Sequence, residues 1–131
     1  MAVYYDKNLV RFVLEEMREC VEAGNFVVLQ TRKNTVFEID YNVTSKMKRS
    51  ILLAIEVEDY FNTAEDWEFP DCYVHEFCLK YDLHTPEGNK TTVDIYVKFQ
   101  IREEKDTGVH TLVLSLHEAE NPAIYPFSRE R

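Results

Sequence analysis

The chain has 131 residues, of which 45% are hydrophobic and 30% are charged, and its formal net charge at pH 7 is −9. This length suits one domain, and this composition is typical of a globular protein rather than a disordered chain. Proteins that hold nucleic acid through many phosphate contacts are normally basic, so the charge argues against extended DNA or RNA binding. We therefore predict a single domain over residues 1–131 that does not bind DNA directly.

The sequence contains no signal for a membrane. No apolar run approaches the roughly 20 residues that a membrane-spanning helix needs. Residues 1–6 have no basic region followed by an apolar stretch, so they do not look like a signal peptide. We therefore expect a cytoplasmic protein with no membrane partner.

Three cysteines, Cys20, Cys72 and Cys78, are widely spaced and form no C-x-x-C pair. Neither they nor the histidines show the spacing of a metal site. We expect Cys72 and Cys78 to point to the same side of one strand, and all three cysteines to be buried free thiols. The sequence predicts no metal and no cofactor.

Two amphipathic helices are predicted in the first half of the chain. Apolar residues recur at helical spacing over 8–23, with Asp6 placed to cap the start and Gly24 to follow the end. The second helix is predicted over 44–55, with Thr44 as its N-cap. The apolar stripe of each helix is expected to face the core.

The segments around the second helix are predicted to be mostly polar. Residues 26–29 form a short apolar strand that leaves into a loop at 30–34. Acidic residues crowd the stretch 56–71, which is most simply an acidic loop. Three cations of the second helix indicate a solvated face or, as the alternative, a surface that faces phosphate: Lys46, Lys48 and Arg49.

Three strands are predicted in the second half, because apolar and polar residues alternate over 73–83, 93–102 and 111–117. Turn-forming residues separate the strands at 84–90 and 103–108. The alternation in the last strand predicts that three residues face the core: Leu112, Leu114 and Leu116. It places four on the opposite face: Thr111, Val113, Ser115 and His117.

The last two strands are predicted to pair as an antiparallel hairpin, because the short loop between them cannot make a parallel crossover. When their apolar faces coincide, Tyr96 and Lys98 share a polar face with Ser115 and His117. Cross-strand neighbours on one face lie within roughly 4.5–8 Å, close enough to act on one substrate. Arg102 lies on the same face of its strand.

This polar face has the residue types of acid–base chemistry on a phosphodiester. His117 can take a proton from a ribose 2′-hydroxyl or return one to the leaving oxygen. Lys98 can neutralise charge on the phosphoryl oxygens, and Tyr96 can orient the phosphate or share in proton transfer. The alternative is an ordinary solvated sheet face with no catalytic role.

Several short motifs then occur in a characteristic order: 51–61 (ILLAIEVEDYF), 67–69 (WEF), 95–99 (IYVKF), 113–122 (VLSLHEAENP) and 125–127 (YPF). In order and spacing they resemble the MqsR-like (motility quorum-sensing regulator) toxins over about residues 8–127. Within this family, the chain looks most like the branch whose members end in a His-Glu-Ala-Glu sequence followed by a Tyr-Pro pair.

The resemblance implies a RelE-like α+β fold, with two helices of the N-terminal half packed on a small antiparallel sheet. It also implies a metal-independent endoribonuclease that cuts mRNA and is held inactive by a cognate antitoxin. The active-site tyrosine of the family falls on Tyr96, and its late basic residue falls on His117. A lysine and a glutamine of the family fall on Asn62 and Glu68.

Two functional hypotheses follow. The first is a toxin ribonuclease, with Tyr96, Lys98 and His117 as catalytic residues. Its substrate-binding residues are then Ser115 and Arg102 on the hairpin face, together with two residues in segments that fit the family order: Tyr60 and Arg32. The second is a non-catalytic interaction protein on the same fold, whose acidic stretch 56–71 contacts a basic partner.

Overall fold

The computed structural model describes residues 5–66, 68, 72–104 and 108–127, and it confirms an α+β fold. Three helices lie in the N-terminal half: α1 (Lys7–Glu22), α2 (Arg32–Asp40) and α3 (Ser45–Ala54). A 3-10 turn at Val57–Asp59 follows them. Five strands are described: β1 (Phe26–Val28), β2 (Tyr60–Glu65), β3 (Tyr73–His84), β4 (Lys90–Glu104) and β5 (Gly108–Glu118).

The strands form one sheet in the order β1-β5-β4-β3-β2. Strands β2 to β5 pair antiparallel, whereas β1 runs parallel to β5, with Phe26 beside Thr111 and Val28 beside Val113. The sheet is therefore mixed, where a wholly antiparallel sheet was expected. A parallel pair needs a long connection, and the chain between β1 and β5 supplies it.

The two predicted helices are confirmed as α1 and α3. Asp6 caps α1 by accepting a hydrogen bond from the Leu9 N–H at 2.9 Å, and Gly24 beyond its end has φ +80°, which suits glycine. Thr44 caps α3 through the Met47 N–H at 3.2 Å. Of the three cations expected to project from α3, Lys48 is instead buried and paired with Glu38 at 3.0 Å.

Helix α2 begins within the segment 30–34 that was predicted to be a loop and continues through residues for which no element was predicted. Thr31 caps it by accepting a hydrogen bond from the Asn34 N–H at 3.2 Å. Its buried residues are Asn34 and Phe37, while Val36 and Ile39 are exposed. An amphipathic helix normally buries apolar residues, but α2 buries the polar Asn34. Its sequence therefore lacks the stripe of apolar residues at helical spacing that would have predicted a helix.

The core lies between α1, α3 and one face of the sheet. The rings of Phe77 on β3 and Phe99 on β4 are both fully buried and stack with their centroids 5.3 Å apart. The helices contribute their apolar faces, including Leu14, Met17 and Ile51. The opposite face of the strands is therefore left to form a site.

A β-bulge changes which residues of β5 face the core. Tyr96 pairs with His117 and Lys98 with Ser115, but the next residue of β4, Phe99, pairs with Val113. Strand β5 has one residue more than β4 at this point. In the part of β5 before the bulge, the side chains that face the core and those that face away are therefore exchanged. The predicted core positions Leu112 and Leu114 are only half-buried, and two residues expected on the polar face are fully buried: Thr111 and Val113.

The acidic stretch is more ordered than the loop predicted for it. Within the described residues it contains the 3-10 turn and β2, an edge strand paired with β3. Its acidic side chains and a bulge between Tyr60 and Asn62 hid the strand pattern. Asp71 lies outside the described residues. Over the ranges that the structure describes, no helix is both long and apolar enough to cross a membrane.

Candidate functional site

The polar face of the β4–β5 hairpin forms one wall of a cavity of about 410 Å³. The four residues that the sequence grouped as neighbours on this face all line the cavity: Tyr96, Lys98, Ser115 and His117. Strand β3 contributes Glu76 and Cys78, and β2 contributes Phe61. Lys33 of α2 and the chain at 119–123 complete the lining.

The segment after β5 closes one side of this cavity. The Ala119 N–H donates to the Asp94 carbonyl at 2.8 Å, which ties the segment to β4. The Tyr125 hydroxyl donates to the Cys78 carbonyl at 3.3 Å, and the Phe127 ring stacks on Tyr60 with centroids 5.7 Å apart. The segment therefore crosses β4 and β3 and ends against β2, which fixes the cavity wall.

Tyr96 is held by a carboxylate. Its hydroxyl donates a hydrogen bond to Glu76 Oε1, while Asn62 Nδ2 donates to Glu76 Oε2 at 2.6 Å. Burial, followed by the hydrogen bond and the charge of Glu76, raises the pKa of the Tyr96 phenol well above its usual range. The phenol thus stays protonated, and its hydrogen points at Glu76.

His117 has one ring nitrogen fixed and one available. Its Nδ1 lies 2.9 Å from the Glu118 carbonyl oxygen, which can only accept, so Nδ1 carries a hydrogen. Among the described residues Nε2 has no hydrogen-bond partner, which leaves it to exchange a proton. The side chain is 8% exposed, and its ring lies 5.4 Å from the Tyr96 ring between centroids.

Two lysines line the cavity, Lys98 and Lys33. Lys98 has no ion-pair partner in the described part of the chain. It lies beside Glu76 across the β3–β4 pair, but both oxygens of that carboxylate are already hydrogen-bonded. Lys33, by contrast, pairs with Glu120 at 2.5 Å on the exposed rim. Lys33 and, to a smaller extent, His117 lower the pKa of Glu120. The Lys98 ammonium is therefore available to an anionic ligand.

The remaining predicted site residues lie outside this cavity. Arg32 lines a neighbouring cavity of about 430 Å³ between α2 and β5, which His117 also reaches. Tyr60 is in the core, 3% exposed, with its hydroxyl 2.6 Å from Thr63 Oγ1, so it is not placed to bind substrate. Arg102 donates to Gln100 Oε1 at 2.6 Å, further along β4. Glu68 is exposed, and its N–H donates to Asp66 Oδ1.

The carboxylate that joins the site is Glu76, which the sequence reasoning did not single out. A signal for it was present, because Glu76 alternates with His75 and Phe77 on a predicted strand and so lies opposite the core. Pairing β3 with β4 across the turn at 84–90 then places Glu76 beside Lys98. The sequence pattern did not supply the register of this pair, that is, which residues of β3 and β4 lie opposite each other.

The cavity therefore combines three groups: an imidazole whose Nε2 has no hydrogen-bond partner and an ammonium that has no ion-pair partner, both within the described residues, and a phenol held by a carboxylate. These groups can move protons and bind an anion at one place. Within the described ranges, no group of three or more His, Cys, Asp or Glu side chains could hold a metal ion. Comparisons of the chain with protein-family models, with curated proteins and with solved structures found no match.

Proposed function

We propose that this chain is a metal-independent endoribonuclease that cleaves mRNA in the cytoplasm, as the toxin of a toxin–antitoxin pair. The observation that carries the proposal is the meeting of His117, Lys98 and Tyr96 in one cavity. Acid–base cleavage of RNA needs a group that exchanges protons and a cation for the phosphoryl oxygens, and this cavity has both. The motif resemblance to MqsR-like toxins points to the same chemistry.

The reaction joins the ribose 2′-oxygen to the adjacent phosphorus and breaks the bond to the 5′-oxygen. One proton leaves the 2′-hydroxyl and another arrives on the 5′-oxygen, giving a 2′,3′-cyclic phosphate and a 5′-hydroxyl. His117 Nε2 exchanges one of these protons. Lys98 neutralises the charge that develops on the phosphoryl oxygens.

The shape and charge of the site favour a single strand over a duplex. A volume of about 410 Å³ falls in the range of small-molecule pockets, enough for a nucleotide unit rather than a helix. Phe61 and Tyr96, with ring centroids 6.0 Å apart, supply aromatic surfaces on which a base can stack. With a net charge of −9, binding then depends on this local site rather than on an extended basic surface.

The cognate antitoxin is proposed to act by covering this site. Helix α2 presents Val36 and Ile39 to solvent, 47% and 68% exposed, and Val36 lines the cavity that adjoins the site. His117 lines both cavities. A protein that packs on this side of α2 would therefore block access to His117.

The test uses purified protein and a labelled single-stranded RNA in the presence of EDTA. The wild type should cleave the RNA and leave 2′,3′-cyclic phosphate ends. His117→Ala should lower the rate about 100-fold or more, the usual effect of removing an acid–base group. His84→Ala, a change at an exposed histidine at the end of β3, should leave the rate unchanged. A folded wild type that cleaves no RNA would contradict the proposal and favour the interaction protein.

A further inference from the structure

The direction of the Tyr96 hydrogen bond determines what a ribose hydroxyl can do at this residue. A tyrosine hydroxyl has one hydrogen to donate and lone pairs with which to accept. Because that hydrogen already points at Glu76 Oε1, a hydroxyl that reaches the Tyr96 oxygen must act as the donor. The geometry therefore gives a path for a proton from the substrate through Tyr96 to Glu76.

Glu76 is placed to receive such a proton. It lies in the cavity lining, and Asn62 fixes its second oxygen at 2.6 Å, so Oε1 stays aimed at Tyr96. Burial and the neighbouring carboxylate raise the pKa of Tyr96, so the phenol does not ionise on its own. The two transfers must then occur together, and no phenolate forms beside the carboxylate.

His117 is suited to the opposite task. Its Nδ1–H donates to the Glu118 carbonyl in the neutral and in the charged ring alike, so protonation at Nε2 costs no hydrogen bond. The protonated ring carries a hydrogen on Nε2, and that nitrogen has no hydrogen-bond partner among the described residues, so it can donate this hydrogen to a ligand.

We propose, on the basis of the proposed function, that Glu76 accepts the proton of the 2′-hydroxyl through Tyr96 and that His117 protonates the leaving 5′-oxygen. The O–H bond of the 2′-hydroxyl breaks as the 2′-oxygen bonds to phosphorus. Its proton passes to the Tyr96 oxygen, and the Tyr96 proton passes to Glu76. The phosphorus–5′-oxygen bond breaks as that oxygen takes the proton of His117 Nε2. Exchange with water then returns one proton from Glu76 to His117.

The experiment compares two RNA substrates that differ only in the leaving atom, a 5′-oxygen or a bridging 5′-sulfur. A thiolate leaves without being protonated, so it removes the need for an acid. His117→Ala should be slowed about 100-fold or more on the oxygen substrate and restored to within about tenfold of wild type on the sulfur substrate. Equal impairment on both substrates would overturn the assignment of His117 as the proton donor.

Glu76→Gln separates proton transfer from mere positioning, because glutamine can still accept the Tyr96 hydrogen bond but cannot take its proton. It should be slowed about 100-fold on both substrates, whereas the exposed control Glu87→Gln should behave as wild type. A Glu76→Gln rate within about threefold of wild type would overturn the role of Glu76. If Glu76→Gln does not fold, Tyr96→Phe is the second variant and should likewise be slow on both substrates.

These outcomes differ from a failure of the proposed function itself. If the wild type cleaves neither substrate, the ribonuclease proposal fails, and this inference fails with it. If the wild type cleaves both but the variants do not follow the pattern above, only the proton path is wrong.

Discussion

The side-chain Oδ1 of Asn34 accepts a hydrogen bond from the backbone N–H of Leu116 at 2.9 Å, beyond the point where β1 stops pairing with β5. Its Nδ2 donates to the Leu114 carbonyl at 3.2 Å and to the Leu29 carbonyl at 2.9 Å. One fully buried amide thus takes over the hydrogen bonds that a longer β1 would have made. It holds the bulge immediately before Ser115 and so helps to position the hairpin face of the site.

Asn34→Ala should therefore destabilise the fold. It leaves three backbone groups without their partner, the buried Leu116 N–H and two half-buried carbonyls, and a buried group left unpaired costs about 1–3 kcal/mol, part of which water can recover at the carbonyls. We expect the free energy of unfolding to fall by about 2–4 kcal/mol, measured by urea denaturation. Asn34→Asp should lose as much, because a carboxylate cannot donate to the two carbonyls.

Asn8→Ala is the matched control, since Asn8 is an exposed asparagine on α1. Its free energy of unfolding should stay within about 0.5 kcal/mol of wild type. An Asn34→Ala variant as stable as this control would show that the amide does not hold the bulge.

The grouping of polar residues on one face of the β4–β5 hairpin was predictable from the sequence, because two independent constraints lead to the same arrangement. Both strands alternate apolar and polar residues, and the loop between them is too short for anything but an antiparallel pair. Together they placed Tyr96 and Lys98 on one face with Ser115 and His117, and the observed register pairs Tyr96 with His117 and Lys98 with Ser115. No long-range information was needed.

The parts that could not be predicted depend on contacts distant in sequence. The inner side of α2 carries Asn34, whose partners are backbone groups of β5, so no apolar periodicity marks the helix. The bulge that moves Val113 into the core lies beside those same backbone groups. Glu76 joins the site through register across a second, longer turn. Each of these features is set by tertiary pairing rather than by local pattern.

Lys98→Ala should weaken the binding of a phosphate-bearing ligand. The ammonium has no ion-pair partner among the described residues, so a bound phosphate does not have to displace a carboxylate. With cytidine 3′-monophosphate as the probe, titration calorimetry at low salt should show affinity reduced about tenfold, which is about 1.4 kcal/mol. The effect should shrink as salt is added, because ions screen it.

Lys80→Ala provides the comparison for this measurement. Lys80 points to the same side of the sheet but pairs with Asp94 at 2.8 Å and does not line the cavity. Its loss should leave the affinity for the probe within about twofold of wild type. Equal losses in the two variants would mean that Lys98 acts only through overall charge.

Alkylation should distinguish the three cysteines. Cys72 is half-buried, whereas Cys20 and Cys78 are buried, and burial raises the pKa of the Cys78 thiol. Because the thiolate is the reactive form, iodoacetamide at pH 8 should modify Cys72 faster than Cys78 in the folded protein. Peptide mass mapping measures this order, and Cys72→Ser should slow the labelling of the folded protein. Modification of Cys78 at the rate of Cys72 would contradict the burial described here.

His75 should make the fold sensitive to mild acid. Burial lowers the pKa of its ring from 6.5 to about 4, and Nδ1 lies 3.0 Å from Thr63 Oγ1. The unfolded chain binds a proton below about pH 6.5, while the folded protein keeps the ring neutral down to about pH 4. The stabilising contribution is therefore complete above about pH 6.5 and is lost as the pH falls through this window.

Between pH 7.5 and pH 5 this one histidine should lower the free energy of unfolding by about 2 kcal/mol, measured by urea denaturation at each pH. His75→Gln removes the titrating group. Its free energy of unfolding should therefore fall by about 2 kcal/mol less than that of wild type between the two pH values, whatever the stability of the variant at pH 7.5. His84→Gln makes the same change at an exposed position of β3. Its free energy of unfolding should fall between pH 7.5 and pH 5 by nearly as much as that of wild type. If His75→Gln and wild type lose the same stability over this range, the ring is not held neutral by burial, and the acid sensitivity arises elsewhere.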